Sequence, residues 1–137
     1  MYVNPYVNFN GDCATAFRFY EECLGGTVEA MITFGETEGG DQMPPDMKDL
    51  VMHARMKVGD SVLMGSDAPQ PRYTKPQGAY ISLQVDDPAE AERIFHALEE
   101  GGTVEMPIQQ TFWAERFGML VDRFGIPWMI NCEAKQG

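Results

Sequence analysis

Long apolar runs are missing: nowhere do the roughly 18 uninterrupted apolar residues of a membrane-spanning helix occur. Basic residues are scarce, with ten Lys and Arg against 21 Asp and Glu, a formal charge of −11 and a pI near 4.4. The resulting field repels phosphate backbones and anionic lipid surfaces, so neither nucleic acid nor membrane is expected as a partner. Cysteine is limited to three residues, of which Cys13 and Cys23 fall on one helical pattern. Their separation is a rise of about 15 Å, whereas a disulfide needs Cα atoms within about 7 Å. Reduced thiols are expected. There is no Ser-His-Asp order, Walker loop, Cys-x-x-Cys or His-Glu-x-x-His. The opening Met1-Tyr2-Val3-Asn4-Pro5 lacks the basic and apolar regions of a signal peptide, so a cytoplasmic location is expected.

What is present suits a soluble globule. The 137 residues are 44% hydrophobic and 11% aromatic, too apolar for disorder, and a chain of this length buries about two-thirds of its unfolded surface in a single domain. No disulfide or structural metal is required to hold such a core.

The chain is written twice. Gly-Gly-Thr-Val-Glu occupies residues 25–29 and again residues 101–105. The flanks repeat as well. Before the first copy, Asp12 stands as a helix N-cap, Ala16, Phe17, Tyr20, Cys23 and Leu24 form one stripe, and Gly25 ends the pattern. Before the second, Asp87 caps, Pro88 takes the first helical position, Glu90 completes a capping-box spacing, and Ala91, Ile94, Phe95 and Leu98 form the stripe. Further upstream, Tyr6-Val7-Asn8-Phe9-Asn10 and Tyr80-Ile81-Ser82-Leu83-Gln84 are both period-2 strands. After each pentapeptide come a strand (28–34; 104–112) and a hairpin (50–58 with 61–66; 118–121 with 126–132).

The prediction is an α+β protein of two tandem βαβββ modules, residues 1–67 and 79–133, joined by a linker at 68–78 within one domain of residues 1–137. Residues 35–48 are expected as a loop, its acidic part solvated or serving as a lid.

In each first strand, Val7 and Phe9, or Ile81 and Leu83, form the face that packs on the helix. Tyr6, Asn8 and Asn10, or Tyr80, Ser82 and Gln84, fall on the other. Those faces can be the solvated half of an antiparallel sheet. A tyrosine at the start of each, with Met64, Met129 and Trp113 nearby, points instead to curved mixed sheets forming a cleft for a ligand.

The doubled βαβββ pattern, Asn10-Gly11-Asp12 with Phe19-Tyr20-Glu21 and Leu24-Gly25-Gly26, and the closing Asp122-Arg123-Phe124-Gly125-Ile126-Pro127-Trp128 resemble the vicinal-oxygen-chelate superfamily of glyoxalases, bleomycin-resistance proteins and extradiol dioxygenases. Pro5-Tyr6, Val51-Met52-His53-Ala54-Arg55, Met64-Gly65-Ser66-Asp67, Trp113-Ala114-Glu115-Arg116-Phe117-Gly118 and Trp128-Met129-Ile130-Asn131 are similar to its PhnB-like branch, often labelled a 3-demethylubiquinone-9 3-methyltransferase domain. The resemblance spans nearly the whole chain and implies a homodimer with ligand clefts. The methyltransferase label finds no support in the residues, since no Gly-rich loop joins a strand to a helix in the manner that holds S-adenosylmethionine.

Metal enzymes of that superfamily draw His and Glu ligands from the first and last strand of each module. By resemblance those places are Tyr6, Met64, Tyr80 and Met129, with Pro5 as the neighbouring alternative to Tyr6. Phenol and thioether are poor partners for Zn, Mn, Ni or Fe(II). The expectation is no metal ligand and no cofactor, a divalent metal being retained only with the alternative function. His53 and Glu115 are the catalytic candidates, as acid, base or orienting donor. The ligand-binding candidates are Tyr6, Asn8, Arg55, Met64, Tyr80, Ser82, Trp113, Arg116, Met129 and Asn131. Trp113 can floor a ligand and Arg116 can grip an anionic group. His96, off the apolar stripe of its helix, reads as surface. Two functions follow: a metal-free homodimer that binds a small molecule, or a lyase, isomerase or dioxygenase-type enzyme acting on a small oxygenated substrate.

Overall fold

Asp12 and Asp87 each introduce an amphipathic stretch, and in the computed structural model, which describes residues 1–68 and 71–134, both stretches are helices. Residues 69 and 70 of the expected linker, and residues 135–137 of the expected domain, lie outside the described residues. The chain divides into two units between Thr74 and Lys75, within the stretch read as a linker.

The first unit contains β1 (Tyr6–Phe9), α1 (Cys13–Leu24), β2 (Thr27–Thr33), the short α2 (Pro45–Lys48), β3 (Val51–Val58) and β4 (Ser61–Asp67). The second contains β5 (Ile81–Gln84), α3 (Pro88–Glu99), β6 (Thr103–Gln109), β7 (Ala114–Val121) and β8 (Pro127–Glu133). The sheets have the same topology, β1-β4-β3-β2 and β5-β8-β7-β6. In each, the first strand runs parallel to the last and the remaining pairs are antiparallel. The architecture is α+β, a βαβββ module used twice.

Each helix buries its apolar stripe on its own sheet. Phe9, Phe17 and Tyr20 form an aromatic cluster under α1, with centroids 6.0 to 6.4 Å apart, and Ala16, Cys23, Ala54, Met56 and Leu63 complete that core. In the second unit Ala91, Ile94, Phe95 and Leu98 meet Leu120, Trp128, Ile130 and Cys132. Side chains of this size contribute about 1.5–3 kcal/mol each on burial, which makes these faces the main source of stability. All three cysteines are free and buried. Among the described residues, no helix is long and apolar enough to cross a membrane.

The repeated pentapeptide has a local cause. Gly25 and Gly101 lie at φ 72° and 76°, a left-handed conformation open to glycine at little cost, and there the chain leaves each helix for the next strand. The following Val and Glu carry a second shared device. Register shifts between Val28 and Ala30, and between Val104 and Met106, make Glu29 and Glu105 the bulge residues of their strands.

Three local expectations change. Asp12 occupies the N-cap position without a capping bond from its side chain. The buried carboxylate of Asp67, at the end of β4, takes over, accepting from Gly11 N and Cys13 N at 3.0 Å and from Val51 N at 2.9 Å. Asp87, by contrast, accepts from Glu90 N as its spacing predicts. Residues 35–48 contain helical turns at Phe34–Glu36 and Gly40–Gln42 as well as α2, the first turn braced by Thr33 Oγ1 donating to Glu36 Oε1 at 2.9 Å. Finally, β7 begins at Ala114 rather than 118, which turns Glu115 and Arg116 from loop residues into strand residues.

Candidate functional site

In the first unit, strand alternation and register assemble one polar face opposite α1. Tyr6 pairs with Met64, Asn8 with Ser66, and Arg55 with Met64 across β1, β4 and β3. The Tyr6 hydroxyl reaches 3.4 Å from His53 Nδ1, and the two rings stack with centroids 5.9 Å apart. With the Nδ1 position unprotonated the phenol donates to it; on the charged imidazolium the direction reverses. Ser66 Oγ donates to Asn8 Oδ1 at 3.3 Å. Arg55 Nε donates to Glu29 Oε1 at 3.2 Å, both side chains being over two-fifths exposed. Such a solvated pair contributes at most about 1 kcal/mol and can exchange Glu29 for an anionic ligand group at little cost.

The second unit builds a related face opposite α3. Ser82 pairs with Met129 and Gln84 with Asn131. The Tyr80 hydroxyl donates to Glu105 Oε1 at 2.9 Å. That bond favours the neutral phenol and, with slight burial and the Glu105 charge, raises the Tyr80 pKa above its ordinary value. Asn131 Nδ2 donates to Gln84 Oε1 at 2.8 Å and Gln84 Nε2 to Ser82 Oγ at 3.3 Å. This chain fixes the orientation of the Asn131 amide. On β7, Phe117 pairs with Asn131 on the polar face and Arg116 with the buried Cys132, while a register shift between Ala114 and Arg116 makes Glu115 the bulge residue of the strand. Arg116 Nε donates to Glu92 Oε1 of α3 at 3.0 Å and its Nη1 to the Glu115 backbone oxygen at 2.6 Å.

Trp113 lies in the turn before β7, closed by Thr111 N donating to Ala114 O and Ala114 N to Thr111 Oγ1, both at 3.0 Å. Its half-exposed ring meets Phe117 edge-on at 5.5 Å. The structure thus brings together Tyr6, Asn8, His53, Arg55 and Met64 on one sheet, and Tyr80, Ser82, Met129 and Asn131 with Trp113 at their margin on the other, Glu115 standing on the bulge of β7. Arg116 does not join them. His96 is exposed, 3.1 Å from Glu99. Glu29, Glu105 and Phe117 belong to these faces and are not among the residues singled out from sequence, whereas Gln84 lies on the face that its strand alternation predicts. The signal for the two glutamates was available, since both close the repeated pentapeptide.

The family model for the Glyoxalase/Bleomycin resistance protein/Dioxygenase superfamily matches residues 3–130. The chain belongs to that superfamily. It is 33% identical to Protein YjdN of Escherichia coli K12 over 144 aligned positions, covering 99% of this chain and 98% of YjdN. The crystal structure of protein PA1353 from Pseudomonas aeruginosa is similar with a TM-score of 0.86 and 51% identity, over 98% of this chain and 99% of that one. A Bacillus cereus structure described as a putative 3-demethylubiquinone-9 3-methyltransferase, PhnB protein, shares the fold with a TM-score of 0.81 at 19% identity, over 96% and 99% of the two chains.

Superfamily metal chemistry requires donors that these strands do not offer. Of the four places expected from sequence, Tyr6 pairs with Met64, whereas Met129 pairs with Ser82 rather than with Tyr80, which lies just ahead of β5; phenol, hydroxyl and thioether stand where divalent ions bind imidazole and carboxylate. Among the described residues no three His, Cys, Asp or Glu side chains converge in a way that could hold an ion. The residues do not fit the group.

Proposed function

We propose that the chain is a homodimeric small-molecule-binding protein with no resident metal, the tyrosine-led sheet face of each unit being a surface for an organic ligand. One observation carries this reading. Each module sends the tyrosine at the head of its first strand across its own sheet onto an ionisable partner, Tyr6 to His53 and Tyr80 to Glu105. A face that only meets water needs no aromatic side chain oriented in this way, whereas a site that must hold an apolar body and fix its polar groups does. Met64 and Met129, set between the polar strands, supply surface that repacks around ligands of different shape. The phenol and thioether donor set supports the absence of a metal. Dimerisation is supported by the small size of each module and by apolar side chains left in water, Phe112 being 95% exposed.

A second reading has its own support. A phenol 3.4 Å from an imidazole is a pair able to pass a proton, so an enzyme of the lyase, isomerase or dioxygenase type acting on a small oxygenated substrate would use His53 of the first unit, or Glu115 of the second, in an acid-base role. A fragment screen by two-dimensional amide NMR tests the binding reading. Hits should perturb residues of β1, β3 and β4 or of β5, β7 and β8 around the named side chains; hits confined to the helices, or none, would overturn it.

A further inference from the structure

One strand of the first sheet carries a line of bases. On β3, Ala54 and Met56 are fully buried beneath α1, so alternation turns His53, Arg55 and Lys57 to the opposite face, successive side chains standing about 7 Å apart along the strand. The chain has ten Lys and Arg against 21 acids, which makes this concentration notable. Register sets Met64 beside Arg55 and Tyr6 beyond Met64, and the Tyr6 hydroxyl approaches His53. The second module shows that the fold does not require these bases. Thr27 pairs with Lys57 as Thr103 pairs with Val121, and Ala30 pairs with Arg55 as Met106 pairs with Met119. Counting back by two, Phe117 takes the place of His53. In a sheet of the same topology, the corresponding positions of β7 therefore hold Phe117, Met119 and Val121.

Among the described residues, the acid that meets this line is Glu29, from the bulge of β2, with Oε1 3.2 Å from Arg55 Nε. That contact uses one of the five guanidinium donors. Lys57 is exposed and has no ion-pair partner among the described residues. Resting on the binding reading above, we propose that Arg55, flanked by His53 and Lys57, holds the carboxylate of an organic ligand in the place where Glu29 now sits. Glu29 is the internal stand-in for that group, and its exposed pair with Arg55 is weak enough to be displaced. The planar guanidinium fork matches a carboxylate, whereas a cation would meet a line of like charges. Met64 and the Tyr6 ring, next to Arg55 in the register, give the apolar body of the ligand a surface. The formal charge of −11 repels a polyanion at long range, but a single carboxylate in contact with Arg55 feels little of it, since salt screens distant charges beyond about 8 Å.

The test is amide NMR on the full-length protein at pH 7 with three matched probes, 3-phenylpropionate, 3-phenyl-1-propanol and 3-phenylpropylamine. The carboxylate should shift amides of β2 and β3 around Glu29, His53, Arg55 and Lys57 and bind at least about tenfold tighter than the alcohol, with the amine weakest. Two substitutions should then move it in opposite directions. Arg55→Gln should bring the carboxylate down to the alcohol, whereas Glu29→Gln, which removes the internal competitor, should tighten it by about two- to fivefold. Equal binding of carboxylate and alcohol by the unmodified protein, or a carboxylate preference that survives Arg55→Gln, overturns the anion site and leaves the binding reading standing. Weaker carboxylate binding in Glu29→Gln overturns it as well, since Glu29 would then belong to the site rather than compete for it. Failure of all three probes to perturb either sheet face overturns both.

Discussion

Tyr80 and Glu105 hold each other from opposite edges of one sheet: the phenol, just ahead of β5, donates at 2.9 Å to the carboxylate on the bulge of β6. The bond crosses the face on which Ser82, Met129 and Asn131 lie. A ligand occupying that face must slip beneath this bridge or replace it.

Removing the carboxylate should therefore be visible at the phenol. Ionising Tyr80 breaks its bond to Glu105 and sets two negative charges together, so its pKa stands above the ordinary 10.0. Glu105→Gln should lower it towards that value, read from the ring-carbon NMR signal of Tyr80. The sign for stability follows: a pKa raised on folding contributes below the unfolded value, and the contribution is lost as pH rises through the folded one. An unchanged titration in Glu105→Gln would contradict the contact.

Asp67 joins three backbone amides from the start of α1 and the start of β3. Asp67→Ala leaves those donors buried without an acceptor and should cost about 3–5 kcal/mol in urea unfolding. Asp122 plays a comparable part in the second module, accepting from Phe124 N, Ile126 N and Trp128 Nε1. Its replacement by Ala should cost a similar amount, again about 3–5 kcal/mol.

Gly65 lies where a side chain has no room. A Cβ there would come within 2.8 Å of the Val7 carbonyl oxygen and 2.9 Å of the Phe17 ring. Gly65→Ala should therefore destabilise by about 1–3 kcal/mol, the usual cost of overpacking, in thermal or urea unfolding.

The thiols should be inert in the folded protein. Burial, then the charges of Asp67 and Asp12, push the Cys13 pKa far up. Burial, followed by the charges of Glu115, Asp87 and Asp86 and opposed by Arg116, also raises the Cys132 pKa, and Cys23 is buried too. Raised values mean less thiolate, the reactive species, at any working pH. Iodoacetamide at pH 8 should modify the urea-unfolded chain at three sites and the native chain at none on the same timescale; fast native labelling would contradict this burial.

His53 separates the two functional readings. In a binding protein His53→Ala should weaken the ligand by no more than about tenfold, while in an enzyme it should lower turnover by about a hundredfold or more with binding retained.

Much of the fold was legible because its signals are local. The stripes of α1 and α3, the glycines after them and the period-2 strands Tyr6–Phe9 and Ile81–Gln84 each declare themselves within a dozen residues, and the pentapeptide repeat supplied the rest of the second module. The cap of α1 was not legible, because Asp67 comes from the far end of the module and Asp12 occupied the position a capping residue normally takes. The site was legible as a face and less so as contacts. Alternation placed Tyr6, Asn8, Tyr80 and Ser82, but the bulges that bring Glu29 to Arg55 and Glu105 to Tyr80 show in the sequence only as the shared last residue of the pentapeptide. Trp113-Ala114-Glu115-Arg116 looked like one constellation because β7 was expected to start later. The strand that begins at Ala114 instead carries Arg116 to Glu92 of α3 and leaves Glu115 on a bulge.

Native mass spectrometry of the protein as purified, with metal analysis of the same sample, tests the central claim most directly, since it reports subunit count, bound metal and retained organic ligand together. The account predicts a dimer carrying no stoichiometric metal, with an organic adduct that is lost on denaturation. A monomer would contradict the dimer, and one divalent metal per chain would contradict the metal-free reading and bring the enzymatic alternative forward.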